Sequence, residues 1–275
     1  MNNLQSLQIK DYFQLATTEQ KTWLTKIDES DWRAGKYLFQ LLSDGNFKNH
    51  YGEKSKVFLL TDGNNLVSFC SFAERDEIPD TEQTPWIGFV YTFPTFRGKR
   101  RIGKLIEHIY HLAKNQGYQT LYISTDQKGL YESLGFSFLQ TMTERWDGET
   151  LVYQMKITQE DYSGIIGKSV KGKIDRPLGT SHPHHKEMIY PINYGYVDGV
   201  FAGDGAEQDV YIFGTDKPLK SFEGKVIAVY HRLNDVEVKW IVALDSAADK
   251  ISYTDQEILK AISFQEQYFM GELYR

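Results

Sequence analysis

At 275 residues, with 41% hydrophobic and 25% charged residues, the chain has enough apolar material for two ordinary domains, each with its own core. Lys and Arg number 31 against 37 Asp and Glu, a net charge of −6, which argues against nucleic acid as the main partner. No apolar run reaches membrane-spanning length, and polar Asn2, Asn3 and Gln5 at the start read as a cytoplasmic protein without a signal peptide.

Cys70 is the only cysteine, so an internal disulfide is excluded, and its apolar neighbours point to a buried, inert thiol. Residues 1–158 carry 18 basic and 19 acidic side chains, which leaves 13 and 18 for the remainder, so the acidity is mostly C-terminal. The chain reads as domains at 1–158 and 167–275, joined by a polar, Gly-bearing linker at 159–166.

In the first half, Trp23, Leu24 and Ile27, then Tyr37, Leu38, Leu41 and Leu42, have helical spacing and predict two short helices within 17–43. Val57–Thr61 and Leu66–Phe72 flank Asp62-Gly63-Asn64-Asn65, a hairpin signal because Gly and Asn tolerate positive φ. After a polar loop, Glu74 to Thr84, the run Trp86–Phe93 predicts a buried strand. Arg101–Gln116 predicts an amphipathic helix that turns Ile102, Leu105, Ile106, Ile109, Leu112 and Ala113 inward and stops at Gly117. Thr120–Ser124, Phe136–Thr141 and Leu151–Ile157 complete a mixed α/β sheet, with a short segment at Gly129–Leu134.

The second half changes to short strands, Ser169–Ile174, Tyr194–Phe201, Asp209–Phe213, Val226–Tyr230 and Lys239–Leu244, separated by Gly, Pro and Asp turns. That texture predicts a small OB-like β-barrel. A last helix begins at the capping box Thr254-Asp255-Gln256-Glu257 and is expected to carry Ile258, Ile262 and Phe269 inward.

The stretch Phe96-Arg97-Gly98-Lys99-Arg100-Arg101-Ile102-Gly103-Lys104 joins a strand to a helix. Backbone N–H groups and the positive end of a helix dipole meet basic side chains there, a suitable seat for an anion. From Val90-Tyr91-Thr92-Phe93-Pro94 through this turn to Leu130-Tyr131-Glu132-Ser133-Leu134-Gly135-Phe136, the sequence resembles the GNAT N-acetyltransferase family over about residues 17–157. The resemblance implies a GNAT acyl-CoA N-acyltransferase fold with acetyl-CoA as co-substrate. Its pyrophosphate would be held by amides of Gly98, Lys99, Arg100, Arg101, Ile102 and Gly103, with Arg97 and Lys104 flanking. The family's turn is one residue shorter and has a glycine where Arg100 or Arg101 stands.

The resemblance further implies that Phe89, Val90, Tyr91 and Thr92 splay from Leu121–Ser124, leaving backbone groups for the pantetheine arm and one N–H for the thioester carbonyl. Tyr131 aligns with the tyrosine that protonates the departing thiolate. Direct attack by an amine also needs a base, and Glu74, Asp76 and Glu77 precede the central strand; Asp76 and Glu77 rank jointly first. His108 and His111 read as ordinary helix surface. The acidity of 74–84, with Asp76, Glu77, Asp80 and Glu82, suits a cationic, polyamine-like acceptor.

The second half resembles the soluble Mg-dependent inorganic pyrophosphatases at Ile174-Asp175-Arg176-Pro177-Leu178-Gly179-Thr180, Tyr190-Pro191-Ile192-Asn193-Tyr194-Gly195-Tyr196 and Asp204-Gly205-Ala206-Glu207-Gln208-Asp209. It implies that Asp204, Asp209 and Asp175 hold metal or acidic positions for Mg and that Tyr194 contacts phosphate. Ala206 replaces a ligand aspartate, another ligand falls near Val238 with Asp235 or Glu237 as substitutes, and Phe269 follows Tyr268 where the family has a lysine. The cluster Ser181-His182-Pro183-His184-His185 is open to a softer metal, a phosphate or an incidental surface loop.

The leading expectation is therefore an N-acetyltransferase acting on a primary amine of a small molecule or peptide. A degenerate barrel would bind a small molecule or organise a homodimer. The alternatives are a second, metal-dependent phosphoanhydride hydrolase in the barrel, and an acetyl-CoA sensor without turnover.

Overall fold

Alternation of Leu7 and Ile9 with Gln8 and Lys10 makes the first strand, β1 (Leu7–Asp11), of the computed structural model, which describes residues 7–145, 148–244 and 253–275. The polar start at Asn2, Asn3 and Gln5 lies outside them. The expected pair of helices forms as α1 (Thr17–Asp28) and α2 (Arg33–Ser43), followed by a third, α3 (Phe47–Tyr51). Each buries residues about one turn apart, Trp23 with Ile27, Leu38 with Leu41 and Leu42, and Phe47 with Tyr51, over Val57, Leu59, Phe69 and Tyr91 of the sheet.

The hairpin signal is met by β2 (Lys56–Asp62) and β3 (Asn65–Ala73), antiparallel from Lys56↔Phe72 to Asp62↔Asn65. Next come β4 (Trp86–Thr92), α4 (Arg101–Asn115), β5 (Thr120–Thr125), β6 (Ser137–Thr143) and β7 (Glu149–Lys156). The seven strands lie in the order β1-β2-β3-β4-β5-β7-β6, with β4 and β5 parallel. Helix α4 buries Ile102, Leu105, Ile106, Ile109 and Ala113 and packs on β2, β3 and β4. Each such side chain contributes roughly 1.5–3 kcal/mol before the ordering entropy is subtracted. The order of elements is that of a GNAT fold.

Contacts divide the chain into Met1–Thr158 and Gln159–Arg275. In the second unit β8 (Ser169–Arg176), β9 (Asn193–Phe201), β10 (Glu207–Phe213), β11 (Ser221–Arg232) and β12 (Val238–Leu244) form a closed five-stranded barrel, because β11 pairs with both β8 and β12. Gly195 allows the closure: a Cβ there would sit 2.0 Å from the Lys173 carbonyl oxygen, so no other residue fits between Tyr194 and Tyr196.

The stretch expected as linker is partly built into this unit. Tyr162 meets Tyr274 edge-on and hydrogen-bonds His231, while Ile165 and Ile166 pack on the barrel interior. Helix α5 (Asp255–Glu266) starts at the anticipated capping box and buries Ile258 and Ile262. Phe269 departs from expectation: the helix ends before it, and its ring lies instead under the Arg232 guanidinium. A short strand, β13 (Gly271–Tyr274), then pairs with β11. No helix of the described residues is long and apolar enough to cross a membrane.

Candidate functional site

Strands β4 and β5 pair only at Trp86↔Tyr122 and Ile87↔Ile123 and then separate. The cause lies in β4, which is irregular opposite Cys70: Phe89 has φ +50° and the register against β3 slips between Phe69 and Ser71. Beyond the irregularity Phe93 donates its N–H to Val67 O on β3. Alternation along the strand therefore turns the Thr92 N–H the other way, toward the side where β5 has left.

A cleft of about 830 Å³ occupies that opening. Val90, Tyr91, Thr92, Arg97, Gly98, Arg100, Arg101, Ile102 and Tyr131 all line it, so one cavity gathers most of the residues anticipated for coenzyme A. Phe89, Lys99, Gly103 and Lys104 do not line it. The φ of Phe89 turns its ring into the aromatic group of Tyr37, Phe47 and Tyr51, and Lys99 and Lys104 project from the surface.

The basic turn is suited to a diphosphate. Gly98 (φ +76°) and Arg100 (φ +49°) both take left-handed backbone, so Arg100 adopts the conformation for which a glycine would be the usual choice. For an arginine this costs on the order of 1 kcal/mol. The helix begins at Arg101, beside the cleft, where its first N–H groups precede any i−4 carbonyl; Gly103 turns its own to Arg100 O at 3.1 Å. Arg101 Nε is buried and makes no hydrogen bond. Arg97 is fixed beneath the strand by Nε–H to Thr92 O (2.9 Å) and by the Tyr91 ring 5.5 Å away. A buried donor without an acceptor costs roughly 1–3 kcal/mol, which a phosphate oxygen at Arg101 would recover.

Tyr131 sits at the other wall, 5% exposed, with its ring edge-on to Phe136. Burial pushes its phenol above the ordinary range, so it stays protonated at physiological pH with a proton to donate. Asp76 and Glu77 lie nearby in sequence but differ in surroundings. Asp76 accepts the Glu77 N–H on Oδ1 (2.6 Å) and the Ser124 hydroxyl on Oδ2 (3.1 Å). Burial raises its carboxyl to about 6, against the lowering effect of those two bonds and with a further upward push from Glu77 and Glu144. Glu77 Oε1 accepts from Tyr51 Oη (2.6 Å) and pairs with His50 Nε2 (2.8 Å), whereas Oε2 is buried with no hydrogen bond and has Arg145 Nε at 3.8 Å. The third candidate, Glu74, is occupied as an acceptor for the Lys54 N–H.

Several cleft residues had no motif to announce them. Asp31 and Trp32, between α1 and α2, cover Tyr91: Asp31 accepts its hydroxyl and Trp32 stacks on its ring at 5.9 Å. Ser124, Glu144 and Thr150 complete the wall beyond β5. They arrive from loops and strand ends distant in sequence, and of these the sequence anticipates only Ser124 near the cleft, as the end of the strand from which β4 splays.

In the barrel, Asp204, Asp209 and Asp175, the residues expected to hold Mg, each have a partner within the fold. Among the described residues no three His, Cys, Asp or Glu side chains gather as a metal site. Asp204 is spent in its own turn, accepting the Ala206 N–H, and Asp175 pairs with Arg176 at 2.7 Å. Asp209 Oδ2 meets Lys239 Nζ at 2.5 Å, and the same ammonium, 1% exposed, contacts Glu237 and the Tyr194 hydroxyl. Arg232, 2% exposed, holds Glu266 at 2.8 Å and 3.0 Å, Glu237 at 2.5 Å and Asp235 at 3.1 Å, with Phe269 beneath it. Asp175 and Asp209 thus each carry a resident cation, whereas Asp204 is held by a backbone amide. His182, His184 and His185 form a turn of their own, with the His184 and His185 amides bonded to His182 Nδ1 and the His182 ring stacked on Tyr190.

Residues 13–136 match the model of the acetyltransferase (GNAT) family. No curated protein matches the chain. Among solved structures, a putative GNAT-family acetyltransferase from Desulfovibrio desulfuricans is 13% identical, with 56% of this chain and 100% of that one covered and a TM-score of 0.44. The ribosomal-protein-S18-alanine N-acetyltransferase of Escherichia coli is 16% identical over 57% and 98% of the two chains, with a TM-score of 0.39. An inorganic pyrophosphatase from Coxiella burnetii is 17% identical over 40% and 84%, with a TM-score of 0.31.

Proposed function

Taking as premise that residues 13–136 form an acetyltransferase domain of the GNAT family, we propose that the chain transfers an acetyl group from acetyl-CoA to a primary amine of a small molecule or peptide by direct attack. The observation that carries this reading is the single cleft joining the basic helix start, the opened β4–β5 junction and Tyr131. Acetyl-CoA, when bound, supplies the acetyl group already activated as a thioester. Arg97, Arg101 and the amides of Gly98 to Ile102 hold its diphosphate, and the N–H of Thr92 or Val90 on the open side of β4 orients its carbonyl.

Tyr131 donates its proton to the leaving sulfur. Asp76, with a carboxyl near 6, is ionised at neutral pH yet basic enough to accept a proton from the acceptor nitrogen. Glu77 stands behind Asp76 rather than on the cleft wall, its Oε2 paired with Arg145 at 3.8 Å. The barrel, on this reading, contributes no metal-dependent hydrolysis, because Lys239 already holds Asp209 and Glu237. The proposal is tested by titrating acetyl-CoA calorimetrically and screening primary amines for thiol release. Binding with turnover of at least one amine supports it, binding without turnover of any amine leaves a sensor, and no binding removes it.

A further inference from the structure

At neutral pH the acceptor's proton needs a route from the cleft to a carboxylate. Ser124 lines the cleft one residue beyond the last β4–β5 pair, Ile87↔Ile123, at the point where the two strands part. Antiparallel pairing of Ser124 with Val152 of β7 fixes its backbone. Asp76 lies behind it: the residues lining the cleft include Ser124 and Glu144 but not Asp76, and Asp76 Oδ2 is reached by the Ser124 hydroxyl at 3.1 Å. Oδ1 is occupied by the Glu77 amide, so Oδ2 is the oxygen directed to the serine.

We infer that Ser124 is the relay through which the acceptor amine delivers its proton to Asp76, so that an alcohol at this position is a catalytic requirement of the domain. The inference rests on the acetyltransferase reading. In the step, the amine N–H proton passes to Ser124 Oγ while the hydroxyl's own proton passes to Asp76 Oδ2. Serine is regenerated unchanged and the carboxylate becomes a carboxylic acid. The C–N bond forms as the C–S bond breaks, and the sulfur takes the proton of Tyr131. Asp76 then returns one proton and Tyr131 recovers one through solvent, so the reaction needs no further reactant.

The surroundings favour a transient proton store. Asp76 is faced by Glu77 from its own loop, by Glu144 from the end of β6 and by Tyr51 from α3; His50 and Arg145 reach Glu77 rather than Asp76. Acids near it, with no cation paired to it among the described residues, make protonation of Asp76 easy, and among those residues Ser124 is the hydroxyl bonded to it.

The test compares wild type, Ser124→Ala, Ser124→Thr and Asp76→Asn in thiol release against pH, with acetyl-CoA affinity measured on each. Wild type should show a rate that rises through about pH 6. Ser124→Ala should lower kcat about 10²-fold with acetyl-CoA affinity unchanged, Ser124→Thr should restore most of it, and Asp76→Asn should abolish the rise. A wild-type rate and pH profile in Ser124→Ala, or a rise that survives Asp76→Asn, would overturn the relay while leaving acetyl transfer standing. A wild type that binds acetyl-CoA but acetylates no amine would overturn both.

Discussion

Asp76 and Glu77 in the first domain and Asp209, Glu237 and Glu266 in the second are acids wholly or partly withdrawn from water, and their partners set them apart. The first pair is held mainly by uncharged donors, the Ser124 and Tyr51 hydroxyls and a backbone amide, with His50 at Glu77 and Arg145 at 3.8 Å from it. The second group is clamped by Lys239 and Arg232 at 2.5 to 3.0 Å. Uncharged donors leave a carboxylate able to gain a proton or attract a cation. An internal ammonium or guanidinium spends that capacity on the fold. Carboxylates at familiar positions therefore signal chemistry only where no resident cation has claimed them.

The largest effect that would break this comparison is in the barrel. Arg232→Met leaves Glu266 buried without its cation, the Tyr211 hydroxyl remaining, and should cost about 3–5 kcal/mol in urea unfolding; a loss under about 1 kcal/mol would mean that the clamp is not needed. In the first domain the sign reverses. The folded state holds the Asp76 proton to about pH 6, well above the usual carboxylate, so Asp76 favours folding at low pH and that favour is lost as pH rises through 6. Asp76→Asn should therefore stabilise the protein at pH 7, by at most about 3 kcal/mol, and give no gain near pH 4, as thermal melts at the two pH values would show. Equal effects at both would refute the raised carboxyl.

Smaller effects sharpen the contrast. Arg101→Ala removes the buried donor that waits for an anion and should weaken acetyl-CoA binding roughly 10- to 100-fold by calorimetry, with stability little changed. Millimolar Mg²⁺ should leave the melting temperature of the wild type unmoved, since Lys239 occupies the carboxylates that a hard cation would need. A rise with Mg²⁺ would restore the metal reading of the barrel.

The frame was legible where periodicity was long or turns were distinctive. The hairpin at Gly63, helix α4 and all five barrel strands follow from apolar runs bounded by Gly, Asp and Pro. Strands β1 and β13 and helix α3 are only five, four and five residues long, too short for their patterns to be told from a loop in the sequence. The phosphate turn and Tyr131 were readable because a strand–turn–helix motif concentrates its residues in one stretch. Asp31, Trp32 and Ser124 reach the cleft from separate segments, so only the folded sheet brings them together. Lys239 was hidden in a different way: within Val238–Leu244 a single lysine reads as an outward residue of a strand, whereas both faces of this strand are buried.

The central claim, that the cleft between the basic turn and Tyr131 performs acetyl transfer, is tested most directly by measuring acetyl-CoA affinity and amine-dependent thiol release side by side in wild type and Tyr131→Phe. Loss of the phenolic proton donor should slow turnover by about 10²-fold or more and leave affinity within a few-fold. Equal turnover in the two proteins would contradict the account.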